Sequence, residues 1–257
     1  MNERWLIIGA DERMKQLAKN IVSDERTIFY KNKRTWDAEL NEVALDYQPT
    51  VVILPIQPLA IEVANVLGLE QALIHAGKLS ERWQTILKNN QVHLYLEQES
   101  FIWQNAALTA EALLAYHYEK RRAVRGKTFI ITGFGRVAKM MAATLTGLQA
   151  NVIIVTRSEA QRCEANALCY KAYLLEAIPQ LQASALINTI PAKWLGIEVR
   201  KQLSMPIYDL ASTPGCAIEP VESYTLLSGL PGKYFPKDAA QLLQQAIFEW
   251  REQHAKR

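Results

Sequence analysis

Phe129-Ile-Ile-Thr-Gly133-Phe-Gly135-Arg-Val-Ala138 is an apolar run that breaks directly into glycines and then a helix-compatible segment. It reads as a strand, a tight turn and a helix start, the context in which a G-x-G-x-x-G/A pattern carries meaning. Gly133 permits the sharp turn, Gly135 lets backbone approach a pyrophosphate, and Ala138 lets helix and strand lie close. The free amides and positive dipole end of that helix attract phosphates. Phe134, Arg136 and Val137, on the same turn, are candidate cofactor contacts. The competing reading is a plain strand-to-helix turn without a ligand. A second apolar strand about 20 residues on, Asn151-Val-Ile-Ile-Val-Thr156, favours the dinucleotide.

The end of that second strand separates the two nicotinamide cofactors. An NAD site commonly places Asp or Glu there to accept from the ribose 2′-hydroxyl. This chain has Thr156-Arg157-Ser158, with Arg162 a helical turn further on. A guanidinium pairs bidentately with a 2′-phosphate and hydroxyls add donors, whereas a carboxylate repels it. The residues favour NADP(H), against the alternative of a solvated loop arginine.

Working outward, strands alternate with helical segments. Trp5-Leu-Ile-Ile-Gly9 is a first strand, followed by Asp11 as N-cap of a helix to Ile21. Residues 27–30, 50–54 and 92–95 read as strands, and 69–87 as two short helices. A long helix over 103–120 precedes the glycine turn. After Thr156 come a helix over 158–167, a short strand over 170–172, a helix before Pro179, and strands over 185–191 and 207–212. In the last helix Leu242, Leu243, Ala246, Ile247 and Trp250 form one stripe. The expected fold class is α/β, with two doubly wound parallel-sheet domains and a cleft between them. Residues 1–102 form a flavodoxin-like substrate domain completed by the C-terminal helix 238–257. Residues 103–237 form a Rossmann domain for NADP.

Bulk properties narrow the function classes. The chain has 257 residues, 49% of them apolar, and a formal charge of +3. That excess is too small and scattered to argue for nucleic acid, yet it tolerates an acidic small substrate. No apolar run is long enough to span a bilayer. The N-terminus runs straight into a strand without a signal-peptide pattern. Cys163, Cys169 and Cys216 lack metal-ligand spacing and read as reduced thiols of a cytosolic protein. His75, His93, His117 and His254 are scattered and read as surface or packing residues. No metal site and no Ser-His-Asp arrangement is expected.

Ligands of open α/β sheets gather beyond the carboxyl ends of the strands. Three segments fall there: Asn188-Thr-Ile-Pro191, Asp209-Leu-Ala-Ser-Thr-Pro-Gly215, and Ser228-Gly-Leu-Pro-Gly-Lys233. They make Thr189, Ile190, Pro191, Ala211 and Ser212 candidate cofactor contacts. Their Pro and Gly content alone marks only turns.

In order along the chain, these segments resemble the A subunit of bacterial dipicolinate synthase. The resemblance rests on Gly9-Ala-Asp11-Glu-Arg13, Val52-Ile-Leu-Pro55, Asn105-Ala-Ala-Leu-Thr109-Ala110-Glu111 and Gly133-Phe-Gly135-Arg136. Asn188-Thr-Ile-Pro191-Ala192, Asp209-Leu-Ala-Ser212, Pro214-Gly215 and Gly229-Leu-Pro-Gly232-Lys233 complete it. It spans nearly the whole chain and is stronger in the C-terminal half. Residues 57–90, Cys216 and Asp238-Ala239-Ala240 depart from the family pattern.

The resemblance implies NADP-dependent oxidation of dihydrodipicolinate to pyridine-2,6-dicarboxylate in the mother-cell cytoplasm of a sporulating bacterium. It also implies partnership with the B subunit of dipicolinate synthase, and a homodimer is a further expectation. Charge and place then assign roles. Arg13, helped by the helix start at Asp11, grips one carboxylate of a small dicarboxylate substrate, or is a solvated helix arginine. Lys233 takes the other carboxylate. Asn188, Thr189 and Ser212 orient nicotinamide or substrate. Glu111 holds a partner arginine or accepts the proton, a role water can also fill. Catalytic candidates are therefore Lys233, Glu111 and Asn188. Two alternatives stay open: another NADP-dependent dehydrogenase of a small carboxylic acid, and a regulatory subunit that binds NADP without turnover.

Overall fold

The computed structural model describes residues 2–211, 215–219 and 223–254. The chain forms two compact units, Met1–Asn105 with Pro231–Arg257, and Ala106–Leu230. The first unit contains β1 (Glu3–Ile8), α1 (Glu12–Asn20), β2 (Arg26–Lys31), β3 (Thr35–Trp36), α2 (Ala38–Tyr47) and β4 (Val51–Ile53). It continues through β5 (Ala60–Ile61), β6 (Leu73–Ala76), α3 (Glu81–Ile86), β7 (Val92–Leu94) and a 3-10 helix over Tyr95–Glu97. Helix α4 (Glu99–Glu119) leads into β8 (Thr128–Thr132), α5 (Arg136–Gly147), β9 (Asn151–Thr156), α6 (Glu159–Ala167) and β10 (Lys171–Leu174). There follow a 3-10 helix over Leu175–Gln180, β11 (Ala185–Asn188), α7 (Ile197–Lys201), β12 (Ile207–Asp209) and β13 (Tyr224–Leu226). Helices α8 (Leu230–Tyr234) and α9 (Pro236–His254) bring the chain back to the first unit.

In the first unit five parallel strands run in the order β2-β1-β4-β6-β7. Counting only these strands, the order is 2-1-3-4-5, the flavodoxin-like doubly wound arrangement. Strand β1 shows why both faces must be covered. Trp5 and Ile7 pack with residues of α1 and α9 on one side, and Leu6 and Ile8 with Trp36, Leu40 and Trp83 on the other. That alternation is the period of a strand, and near-continuous apolarity is what a sheet buried on both faces requires. Asp11 caps α1 by accepting from the Arg13 amide at 2.8 Å. Helix α9 buries Ala240, Leu243, Ala246 and Ile247 in one cluster with Trp5, Ile7 and the inner face of α1. Strands β3 and β5 form a separate parallel pair.

The second unit is a six-stranded parallel sheet in the order β10-β9-β8-β11-β12-β13. Renumbered, this is 3-2-1-4-5-6, the dinucleotide-binding topology, with its reversal between β8 and β11. Helix α5 turns Ala138, Met141, Ala142 and Leu145 inward. Both sheets are therefore doubly wound, as expected from the alternation of strands and helices.

Two local expectations change. Residues 69–87, expected as two short helices, hold β6 and the single helix α3. Leu73-Ile-His-Ala is too short to show strand periodicity, and its pairing between β4 and β7 supplies what local propensity does not. The segment before Pro179 is a 3-10 helix that contains that proline.

Candidate functional site

The reversal of strand order in the second unit brings the end of β8 beside the end of β11. Gly133 turns the chain there with φ +86°, a conformation that favours glycine, and its amide donates to Val155 at 2.7 Å. A Cβ on Gly133 would stand 2.8 Å from the Thr189 hydroxyl oxygen. That hydroxyl donates to the Thr132 carbonyl at 2.7 Å, so Thr189 closes the turn from the neighbouring strand. Gly135 behaves differently: nothing lies within 4 Å of the position its Cβ would take. It is the N-cap of α5, whose first turn has no acidic residue. First-turn amides have no partner within their own helix, and the dipole adds to their attraction for anions. Open space above a glycine, backed by these amides, fits a dinucleotide pyrophosphate. Arg136 is exposed and Val137 half-buried on the same turn, whereas Phe134 is buried against Tyr170 and serves packing.

At the end of β9 the four proposed 2′-phosphate residues divide. The Thr156 hydroxyl donates to Gln161 at 2.7 Å. The Ser158 hydroxyl caps α6 by accepting from the Gln161 amide. Arg162 forms a bidentate pair with Glu159. Arg157 alone is exposed with no side-chain partner among the described residues.

The next strands carry a buried polar chain set by register. Thr132, Asn188 and Asp209 are direct neighbours across β8, β11 and β12. The Thr132 hydroxyl donates to Asn188 Oδ1 at 2.6 Å, and Asn188 Nδ2 donates to Asp209 Oδ1 at 2.8 Å. Asn188 also donates to the Ile190 carbonyl and accepts from the Ile190 amide and the Trp194 indole. Asp209 further accepts from the amides of Ala211 and Cys216, at 2.9 and 2.6 Å, and from the Tyr224 hydroxyl at 2.7 Å. Burial and the Asp209 charge push the Tyr224 phenol and the Cys216 thiol upward, so both stay protonated. A fully bonded buried carboxylate of this kind fixes the loops around it. Asn188 is thus a structural tie: its polar atoms are committed within the protein, rather than presented to nicotinamide or substrate. Ile190 and Ala211 are buried and Pro191 exposed at the rim of the same strand ends, while Ser212 lies outside the described residues.

The corresponding reversal in the first unit lies between β1 and β4. Arg13 sits there at the start of α1 and is only 2% exposed. The solvated alternative for this arginine therefore falls away. Its Nη2 approaches Asp11 Oδ2 at 3.5 Å, and its Nε and Nη1 have no partner among the described residues. Tyr95, fully buried and within electrostatic reach, turns its hydroxyl to the Leu54 carbonyl at 2.9 Å. Tyr30 donates to the Gly9 carbonyl at 2.8 Å. Gly232 lies directly against the Asp11 carboxylate, in space that a Cβ would fill. Asp11 and Gly232, both residues of the first unit, therefore meet. Lys233 follows Gly232, exposed, with its Nζ 5.4 Å from the Tyr234 ring centroid. Glu111 is exposed on α4 and has no side-chain partner among the described residues.

Sequence reasoning passed over Tyr95, Tyr30, Thr132 and Tyr224, and quoted Asp209 without a role. A polar residue ending a buried strand, as Thr132, Asn188 and Asp209 each do, is the signal that could have found the tie. Among the described residues no group of three or more His, Cys, Asp or Glu is placed to hold a metal, and no helix is long and apolar enough to cross a membrane.

No protein-family model matches the sequence, and no curated protein matches it. Solved structures do. The A chain of dipicolinate synthase from Bacillus subtilis is similar with a TM-score of 0.78 and 19% identity, over 100% of this chain and 98% of that one. Its counterpart, the dipicolinate synthase A chain from Bacillus halodurans, gives 0.73 and 18%, over 97% and 98%. A transhydrogenase from Sinorhizobium meliloti gives 0.64 and 14%, over 98% and 93%. From end to end, this chain has the fold of dipicolinate synthase A chains.

Proposed function

We propose that this chain is an NADP-dependent oxidoreductase that oxidises dihydrodipicolinate to pyridine-2,6-dicarboxylate, as the nucleotide-binding subunit of a dipicolinate synthase. The observation that carries the reading is the start of α5. There a glycine turn leaves open space at Gly135, at the reversal point of a 3-2-1-4-5-6 sheet, in a chain folded like two dipicolinate synthase A chains. Arg157 at the end of β9, exposed and without a side-chain partner among the described residues, supports NADP over NAD.

When bound, the nicotinamide supplies a hydride acceptor, and aromatisation of the ring favours the transfer. The chain's own work is positioning. Gly133, Gly135 and the first-turn amides of Arg136 and Val137 hold the pyrophosphate, and Arg157 holds the 2′-phosphate. Thr189, Ile190, Pro191 and Ala211 border the nucleotide. Arg13, the helix start at Asp11, and Lys233 bind the small dicarboxylate. Glu111 is the candidate proton acceptor on α4, with water as the other. A flavoprotein-like B subunit is the expected partner and a homodimer the expected assembly, in the mother-cell cytoplasm of a sporulating bacterium.

The test is to mix the protein with NADP and freshly generated dihydrodipicolinate, with and without a B subunit, and follow the ultraviolet absorbance of the product. Product formation in either arm supports the reading. Intact NADP binding with no product in both arms would replace it with a nucleotide-binding regulatory role.

A further inference from the structure

The geometry points to Arg13 as a buried receptor for one carboxylate of an aromatic dicarboxylate, complete within the first unit and able to bind without nucleotide. This rests on the dicarboxylate reading above and deepens it.

A guanidinium that is 2% exposed needs a partner, because a buried charge left uncompensated is strongly destabilising. Asp11 meets that need poorly. It touches Nη2 alone at 3.5 Å, and its Oδ1 is engaged by the Arg13 amide at 2.8 Å. Nε and Nη1 have no partner among the described residues, so both in-plane edges of the fork carry an unused donor. Buried polar groups without partners are rare and call for an explanation. Tyr95 does not supply one, since its hydroxyl is directed to Leu54. Burial holds that phenol protonated, so it is a neutral wall rather than a counter-charge.

Placement supplies the rest. Arg13 stands at the carboxyl ends of β1 and β4, where strand order reverses and ligands of doubly wound sheets bind. Gly232 seats α8 directly on the Asp11 carboxylate, and the next residue, Lys233, is an exposed cation. A planar fork with free in-plane donors matches a carboxylate bidentately. A second cation carried by the adjoining segment suits an acid with two carboxylates.

The experiment is thermal unfolding of the full chain without nucleotide, using pyridine-2,6-dicarboxylate, inorganic phosphate and the uncharged pyridine-2,6-dicarboxamide as probes. The dicarboxylate is expected to raise Tm, the diamide to leave it unchanged, and phosphate to act more weakly. Arg13→Met, which removes the buried charge at similar volume, is expected to match or exceed the parent Tm without ligand and to lose the dicarboxylate shift. Arg13→Lys keeps charge but loses the fork, and its dissociation constant for the dicarboxylate should rise at least about tenfold. Should the methionine variant not fold, the lysine variant decides.

No dicarboxylate shift in the parent, an equal shift from phosphate, or a full shift retained in both variants would each overturn the assignment. NADPH affinity, read separately by fluorescence, is expected to be unchanged in Arg13→Lys. Failure of the nucleotide reading is thereby told apart from failure of this one.

Discussion

His75 and His93 meet Nδ1 to Nδ1 at 2.9 Å inside the first unit, as direct register neighbours on β6 and β7. One ring must donate and the other accept, so the two cannot both be protonated. Burial pulls His93 down to about 4 and His75 well below the ordinary histidine range, with Arg251 and His254 adding like charge nearby. Trp250 stacks on His93 at 4.8 Å and on His254 at 4.0 Å, tying the pair to α9.

The pair makes stability depend on pH. The unfolded chain takes up protons near about 6.5 and the folded one does not until about 4, so the unfolded state binds more protons in between. Stability is fully present above that window and declines as pH falls through it. Between about pH 7 and about pH 5, the parent should lose at least about 3 °C more in Tm than the double variant His75→Leu, His93→Phe, equivalent to roughly 1 kcal/mol. Parallel pH profiles for the two proteins would remove this account.

The two glycines of the α5 turn should separate cleanly. Gly135→Val has room for its side chain in the ligand-free protein, so Tm should stay within about 4 °C of the parent while NADPH binding is lost. Gly133→Ala meets both a positive φ and the Thr189 hydroxyl, and should cost about 1–3 kcal/mol before any ligand is added. Normal nucleotide binding by Gly135→Val, measured by fluorescence titration, would mean that the turn is not a phosphate cradle.

Arg157 is expected to set cofactor choice. NADPH should bind at least about tenfold more tightly than NADH, and Arg157→Ala should bring the two affinities together. Arg162→Ala should matter far less, because Arg162 is already paired with Glu159. Equal affinities in the parent protein would contradict this.

Tyr224→Phe removes one of the bonds to the buried Asp209 carboxylate. A loss of about 1–3 kcal/mol in chemical denaturation is expected, without a change in NADPH affinity while the protein is folded. A neutral substitution would show that the tie across β11, β12 and β13 contributes nothing to the fold.

Much of the candidate site was legible because its signals are local. The run Phe129–Ala138 contains its strand, its turn and its helix start within ten consecutive positions, and each obeys a backbone constraint that neighbouring residues alone decide. The cap at Asp11 and the apolar stripe of α9 were readable for the same reason. Strand β6 was not, since Leu73-Ile-His-Ala becomes a strand only through partners far along the chain.

Side-chain fates at the strand ends were likewise hidden. Asn188 looked like a residue that faces a ligand, and the register instead places it between Thr132 and Asp209, where its hydrogen bonds are used up. Arg13 looked equally able to be solvated or to grip a carboxylate, and the packing of the first unit leaves it 2% exposed. Sequence alone determined that this chain builds parallel α/β units and carries a glycine turn before α5, because periodicity and turn chemistry act over a few residues. Only tertiary structure decided which polar groups are consumed inside the protein and which remain for a ligand, because hydrogen-bond partners across a sheet are chosen by register and burial.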